Sequence, residues 1–506
     1  MKKAFFPALP ALTLLLSPVS CPPSLAAQDL PSFFQASDGA ASEEEAPIDR
    51  GGFSFPDPAD GSGLVWGGSV RAAARAYLDR TDPLESQTRT WPRTRLELRK
   101  AAAGADLLVR LNHDGGPGGA GLPGENGAEA LRDLVDEAYL RAYLGRFDLE
   151  AGLMKVVWGV GDDMHVVDVL NPTDYGDFVN NDYLDRRRGE LMFRLVGRVG
   201  ASSRLELVWE PRTSPDLIPR EGPWVPGAAR ELAATITGKY PSLVANLTAQ
   251  YVADGVDPAA ATALAKITAA GILADPIADE KPSRLRDGTW GLRWSGSAGG
   301  QDLGLIYAWT FHRTPSVDMG AFLLDPAQKI RLTYDRFHLV GLEAAAAPGG
   351  FNLRAEGAFY LTRDLAGDDP RVRNSRIGGV LGFDRDLLAG KLNLNAQIRS
   401  LVTLNPEAIK GNGQGDADYQ ADGRYTETMA AFRLGGTFLR DRLKPQVSVT
   451  TGLERRDLRI EPEILWSPGD DLELGLRYVH YAGDRDGVFG QFRDSGFAEV
   501  FAALSF

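Results

Sequence analysis

From Leu64 to the last residue, apolar and polar positions alternate in run after run. A period of two marks a strand whose two faces meet different surroundings. In the first run, 64–78, Trp66, Val70, Ala72, Ala74, Ala76 and Leu78 share one face, while Arg71, Arg75 and Tyr77 share the other. In the fourth, 137–145, Ala138, Leu140, Ala142 and Leu144 alternate with Glu137, Tyr139, Arg141 and Tyr143. The same rhythm predicts strands at 93–102, 106–112, 147–158, 191–199, 204–210, 288–295, 302–312, 336–346, 351–363, 375–384, 391–404, 426–439, 444–454, 458–466, 472–481 and 497–506. That is about 18 strands, and one miscounted pair would leave about 16.

The connections alternate as well. Short ones fall at 103–104, 146, 200–203, 296–301, 348–350, 384–390, 440–443 and 467–471. Between them lie long ones at 79–90, 112–135, 160–189, 211–287, 313–335, 405–425 and 483–495; 454–457 is shorter than its place in the series predicts. An even number of antiparallel strands with turns at one end and loops at the other is the expected form of a closed transmembrane β-barrel, with the turns and both termini in the periplasm. The expected fold is therefore all-β, with the barrel occupying 62–506. Within it, 211–287 differs: 229–237, 241–253 and 258–273 are rich in Ala and Leu at helical spacing, and Asp257-Pro258 has the form of an N-cap followed by proline. These predict a small helical insertion in an extracellular loop.

Closing the sheet gives every backbone polar group a partner in hydrocarbon. One face must then meet lipid, and the Leu, Val, Ala, Trp and Phe positions suit it. An Arg there near the midplane costs about 2–4 kcal/mol. Arg71, Arg75, Arg95, Glu97, Arg99, Arg110, Arg141, Arg194, Arg198, Arg204, Arg293, Arg354 and Arg399 are accordingly expected to line the lumen. So are Glu206, Glu356, Arg433, Glu473 and Arg477. A barrel of about 16–18 strands is wide enough for water, so a pore follows. The predicted inward set holds more Arg than acid, which points to a field favouring anions; structural pairing of these Arg with inward Glu is the competing reading.

The two ends agree on destination. Ala498, Val500, Ala502, Leu504 and Phe506 occupy one face of the last strand, which resembles the C-terminal strand of bacterial outer-membrane barrels. That resemblance implies the barrel-assembly machinery as a partner through Phe506. Met1-Lys2-Lys3, an apolar stretch to Val19 and Ser24-Leu25-Ala26 predict a signal peptide over 1–26, too short to span a bilayer. A lipoprotein reading at Cys21 fits poorly because of Pro18. The acidic, Pro- and Gly-rich 27–61 is expected to be a disordered periplasmic segment.

Cys21 is the sole cysteine, so cleavage leaves no thiol for a disulfide, a metal or catalysis. With five histidines and a net charge of −13, a His-rich metal centre and a nucleic-acid partner are both unfavoured. Mean hydropathy is −0.20, as expected when only alternate residues face lipid. No cofactor and no catalytic residue is assigned. Gly116-x-Gly118-x-x-Gly121 has no helix after it, and Asp416, Asp418, Gln420 and Glu427 have Ala421 where a calcium loop needs glycine. His113 and His165 fall in outward loops, and a Ser–His pair for hydrolysis is not legible. Trp66, Trp91, Trp158, Trp209, Trp290, Trp294, Trp309 and Trp466 are assigned to the lipid face and interface belts.

The most distinctive text is Val157-Trp158-Gly159-Val160-Gly161-Asp162-Asp163 followed by Asp168-Val169-Leu170-Asn171-Pro172-Thr173-Asp174-Tyr175. It resembles a segment of porin-like outer-membrane barrels grouped as domain of unknown function 1302. Gly483-Asp484 and Phe489-Gly490-Gln491-Phe492-Arg493-Asp494 resemble final loops of related porin-like families. The resemblance implies passage of small or hydrophobic molecules through the outer membrane. By analogy with porins, this third loop folds inward as a constriction. Asp162, Asp163, Asp168, Asp174, Asp177 and Asp182 would face a cationic wall, and Arg186, Arg187 and Arg188 would close the loop. Asn171 and Pro172 read as turn formers. The expectation is a passive channel for small solutes embedded in outer-membrane lipid. A transporter of hydrophobic molecules, with the insertion as lid or plug, and a surface-exposed adhesive barrel are the alternatives.

Overall fold

A computed structural model describes residues 64–78, 89–102, 104–114, 134–176, 183–219, 222–282 and 284–506. The predicted leader and acidic tail, Asp177, Asp182 and the glycine motif at 116–121 lie outside these residues.

Eighteen strands form one closed antiparallel sheet. They are β1 Leu64–Tyr77, β2 Arg89–Ala102, β3 Ala105–Asp114, β4 Val135–Leu144, β5 Phe147–Met154 and β6 Glu190–Arg198. Next come β7 Ser203–Glu210, β8 Thr289–Ala298, β9 Gln301–Phe311, β10 Arg336–Ala346, β11 Asn352–Thr362 and β12 Arg376–Leu387. The last are β13 Leu392–Thr403, β14 Thr426–Gly436, β15 Leu443–Gly452, β16 Asp457–Trp466, β17 Leu472–Ala482 and β18 Phe497–Ser505. The count is 18, not 16, because the short 453–456 connection still turns the chain between β15 and β16. Each strand pairs with its neighbour in sequence, and β1 pairs with β18 from Ser69↔Ser505 to Tyr77↔Phe497. Phe506 adds the last rung, exchanging backbone hydrogen bonds with Gly68 at 2.9 and 3.0 Å.

The tight turns follow from local chemistry. Ala298 and Gln301 are joined by Gly299 and Gly300, both at positive φ (62° and 78°), the geometry that matches strand twist in a two-residue hairpin. Outward positions such as Leu140, Leu305, Val340, Leu381, Leu476 and Val500 are exposed on the protein itself, as a lipid-facing band requires. No helix among the described residues is long and apolar enough to cross a membrane; the crossing is made by strands. A closed barrel with this apolar exterior is an outer-membrane protein.

Three helices follow β7: α1 Gly227–Gly238, α2 Tyr240–Ala253 and α3 Pro258–Ala274. Asp257 caps α3, accepting from Ala259 N and Ala260 N at 3.1 and 3.2 Å. Ala261, Ala265 and Ala269 are buried at i, i+4 spacing, where small side chains let α2 and α3 approach closely. The helices do not stand alone. Residues Ile277–Asp279 pair in parallel with Ile330–Thr333, which pair in turn with Ser316–Asp318. Leu232, Ile236, Leu273, Phe322, Ile330 and Leu332 share one apolar core between the two long loops.

Candidate functional site

The chain leaves the wall after Met154 and does not continue as strand to Trp158. The reason is what Lys155–Trp158 meet inside the barrel. Lys155 N donates to Glu137 Oε1 (3.0 Å), and its ammonium reaches Asp136 (2.5 Å). Val156 N donates to Asn171 Oδ1 (2.7 Å). Trp158 is fully buried, and its indole N–H donates to Glu206 of β7 (2.8 Å). The lipid-facing assignment of Trp158 is thus corrected: a ring with an N–H needs a buried acceptor, and Glu206 supplies one in the lumen. Trp66, Trp290 and Trp466 are exposed, and the register puts Trp209, Trp294 and Trp309 on the outer face; the Trp91 side chain lies outside the described set.

The inward segment then crosses to the far wall. Glu356 of β11 accepts from Val160 N, Gly161 N and Val166 N, each at 2.8 Å, and its side chain also meets His165 Nδ1 at 2.8 Å. Gln397 of β13 accepts from Asp163 N and Met164 N, both at 3.2 Å. Asp162 receives Arg354 Nη1 (2.5 Å) and Asn395 Nδ2 (2.6 Å), while Asp163 stands 4.0 Å from Arg433. Two wall side chains therefore satisfy most of the turn's exposed backbone donors, which would otherwise be stranded away from water.

Apolar packing completes the seat. Met164, Val166, Val167 and Leu170 lie against inward-facing Ile306, Ala308, Leu339, Ala358, Val380 and Leu401. Glycines on the wall make the room: a Cβ on Gly341 would stand 2.8 Å from Val167, one on Gly378 3.0 Å from Val166, and one on Gly291 would collide with the Trp158 ring. Burial of four such side chains stabilises the seat by roughly 1.5–3 kcal/mol each.

The returning arm is tied to the outgoing one. Asn171 Nδ2 donates to Met154 O (3.0 Å) and Arg188 O (2.8 Å). Pro172 O accepts from Arg188 N (2.9 Å), and Asp174 N donates to Arg186 O (2.6 Å). Asp174 otherwise caps a local turn at Gly176 N (2.8 Å). Asp168 turns inward on the loop itself, pairing with Arg187 (2.5 Å) and accepting from Tyr183. Arg186 is buried. On the near wall, Arg93 and Arg95 hold Asp185. Burial alone would raise the Asp185 carboxyl, but Arg95, Arg93 and Lys155 pull it below the ordinary range. Burial likewise opposes charge on His165, yet Glu356 and Asp168 outweigh it and hold the imidazole above its usual pKa.

The predicted lumen arginines all fall on the inward face by register, and most meet a carboxylate. Arg71 and Arg75 reach Glu499 (3.0 and 2.8 Å), and Arg99 stands 3.6 Å from Asp106. Arg110 lies between Glu97 and Glu137; Arg141 and Arg194 share Glu150, and Arg194 also reaches Glu206 at 2.9 Å. Arg293 meets Glu343 (2.5 Å), Arg354 also meets Asp384 (2.6 Å), and Arg399 meets Glu427 (2.5 Å). Arg204 donates to Ser295 (3.0 Å), and Arg198 sits directly opposite it. Glu150, Glu343 and Glu461 supply acid that a count of predicted lumen residues leaves out, and Glu137 and Glu499 add to it.

A second inward loop approaches from the other side. Asp457 accepts from Phe489 N (2.5 Å) and Gly490 N (3.2 Å). Phe492 and Trp224 pack edge-on to Tyr481 and Phe497. Helix α1 is fastened there, with Gly227 N and Arg230 donating to Gln491 (2.8 and 3.0 Å). Gln397, Tyr183 and Asp457 escape a sequence reading, and Glu356 and His165 are legible only as a lumen carboxylate and a loop histidine, because their partners are distant in the chain. The inward glycines at 291, 341 and 378 are the one legible trace of a covered wall.

No family model matches the sequence, and no curated protein matches it. Solved structures do. The chain is similar to Acinetobacter baumannii OccAB4 (10% identity, 89% of this chain and 100% of that one, TM-score 0.46). It is also similar to a BenF-like porin from Pseudomonas fluorescens Pf-5 (11%, 88% and 98%, TM-score 0.45) and to the outer membrane channel DcaP of A. baumannii (11%, 89% and 99%, TM-score 0.38). At such identities the likeness concerns the fold.

Proposed function

We propose that this barrel is a non-enzymatic outer-membrane channel through which small polar solutes pass by diffusion, and that residues 155–188 set its narrowest point. The observation that carries the reading is asymmetry across the lumen. The loop tip is seated on β9–β14, while Arg99 and Arg141 on the other side keep 34% and 33% of their side-chain surface exposed. A charged, partly exposed wall facing an anchored polypeptide supports a polar path beside the loop.

The selectivity we infer is anionic and local. Arg71, Arg75, Arg459 and Arg477 gather around Glu461 and Glu499, with Glu463 also acting on Arg71, a concentration of guanidinium groups on one stretch of wall. The preference is modest and rests on this cluster rather than on an overall surplus of arginine. The resemblance of the 157–175 text to domain of unknown function 1302 is part of the same proposal. Planar-bilayer recording in a salt gradient tests it: ohmic steps with a reversal potential toward the anion side are expected. Silence would turn attention to a hydrophobic path past Trp224, Phe489 and Phe492, and clear cation preference would refute the selectivity.

A further inference from the structure

Two strand arginines, Arg336 and Arg385, break the rule that arginines face inward, and Arg336 does so at the long-loop end. Arg336 opens β10 at the long-loop end, next to inward-facing Phe337, so the pleat turns it to the lipid side with His338 and Val340. Its guanidinium lies over Trp309 and Phe311, with 3.7 and 4.1 Å to the ring centroids. Nη1 and Nη2 donate to Gly288 O (3.3 Å) and Arg286 O (3.2 Å). Among the described residues no carboxylate is ion-paired with it, Asp287 acting only from further off, in contrast to most arginines of the lumen.

The segment it holds is itself cationic. Arg284, Leu285 and Arg286 are exposed, with Leu285 at 75%. Its one acid, Asp287, accepts from Arg284 N (3.0 Å) and stands 3.7 Å from Arg286. Trp290 lies directly across from Trp209 in the adjoining strand, their rings stacked at 5.5 Å. Such an aromatic belt marks the depth of lipid headgroups. At that depth an exposed leucine has acyl chains to enter, and arginines have phosphates to meet.

We propose that Arg336, Arg284 and Arg286 form a site on the outer wall for the phosphate of a phosphorylated outer-leaflet lipid. The two carbonyl bonds use two of the five N–H donors of Arg336, and the aromatic faces fix the plane of the rest. A planar, oriented guanidinium is suited to two phosphate oxygens. The site does not depend on the channel reading, since it lies outside the barrel. Arg385 is an internal comparison: it also faces outward, over Phe351 at 4.2 Å, but at the short-turn rim.

The test is native mass spectrometry of the full-length protein released from detergent micelles, with bis-phosphorylated lipid A and its dephosphorylated form as probes. The wild type retains the phosphorylated probe preferentially. Arg336→Gln weakens retention roughly fivefold, and the double variant Arg284→Gln/Arg286→Gln more, at about 1 kcal/mol per arginine near a charged bilayer surface. Arg385→Gln leaves it unchanged. Heat-modifiable gel mobility confirms a folded barrel, and the double variant, lying in an exposed segment, carries the test if Arg336→Gln does not assemble. Equal retention by wild type and variants, equal affinity for the dephosphorylated probe, or displacement by millimolar inorganic phosphate would each overturn the proposal.

Discussion

The two sides of the lumen are built on different rules. On β2–β6, inward positions carry Arg95, Arg99, Arg110, Glu137, Arg141, Glu150 and Arg194, a ladder of ion pairs partly open to water. On β9–β14, the inward face holds Ile306, Leu339, Gly341, Ala358, Gly378 and Val380, all closed off by the loop. The first is a wall made to be wet. The second behaves like the core of a soluble protein, with buried carboxylate and amide anchors at its edge. The difference teaches that a barrel of this width is not uniformly a pore: part of its interior is a packing surface for its own chain.

The sharpest way to break the contrast is at Glu356, whose side chain is fully buried. Glu356→Ala strands three backbone N–H groups and His165, a loss of about 3–5 kcal/mol for breaking a buried charged pair. Hydrogen exchange at Val160, Gly161 and Val166 is expected to accelerate by orders of magnitude while strand amides stay protected; unchanged exchange would mean that the loop is held by packing alone. Overfilling the seat comes next. Gly378→Val crowds Val166 and Leu401 at a cost of about 1–3 kcal/mol, read as a lower thermal transition of the folded form.

A smaller effect comes from pH. The folded-state pKa of His165 lies above its ordinary value of 6.5, so its pairing with Glu356 is fully present below that value. It fades as pH rises through the raised pKa. Loop protection should therefore fall on the alkaline side, in the presence of Asp168, Tyr183 and Arg187 beside the ring, and His165→Gln should remove the dependence. The smallest effect on stability is expected on the wet wall. Arg141→Ala costs no more than about 1 kcal/mol, because the pair is partly exposed and screened, yet it shifts the reversal potential toward cations.

The same contrast explains what could be read from the sequence. Strand 336–346 is legible to the residue because connections bound it on both sides and Val340, Leu342, Ala344 and Ala346 continue one apolar face after Arg336 and His338, and Arg141 against Leu140 is a signal that any period-two reading finds. On the covered wall, Leu339 and Val340 are both apolar, so alternation vanishes where the loop replaces water. Trp158 reads as a belt residue for the same reason, since nothing local reveals Glu206. The small sheet joining 277–279 to 330–333 is too short for a period, and its parallel partners, such as Ile277 and Ile330, are far apart in the chain. Ring closure already puts Glu499 in the lumen with Arg71 and Arg75; that both pair with this one carboxylate comes from register, which no single strand displays.

The central claim is that a solute path persists beside an anchored loop. Single-channel conductance of the wild type and Glu356→Ala in the same planar bilayer tests it most directly. Stable ohmic steps are expected for the wild type, and larger, noisier ones for the variant. A silent wild type, or steps indistinguishable between the two, would contradict it.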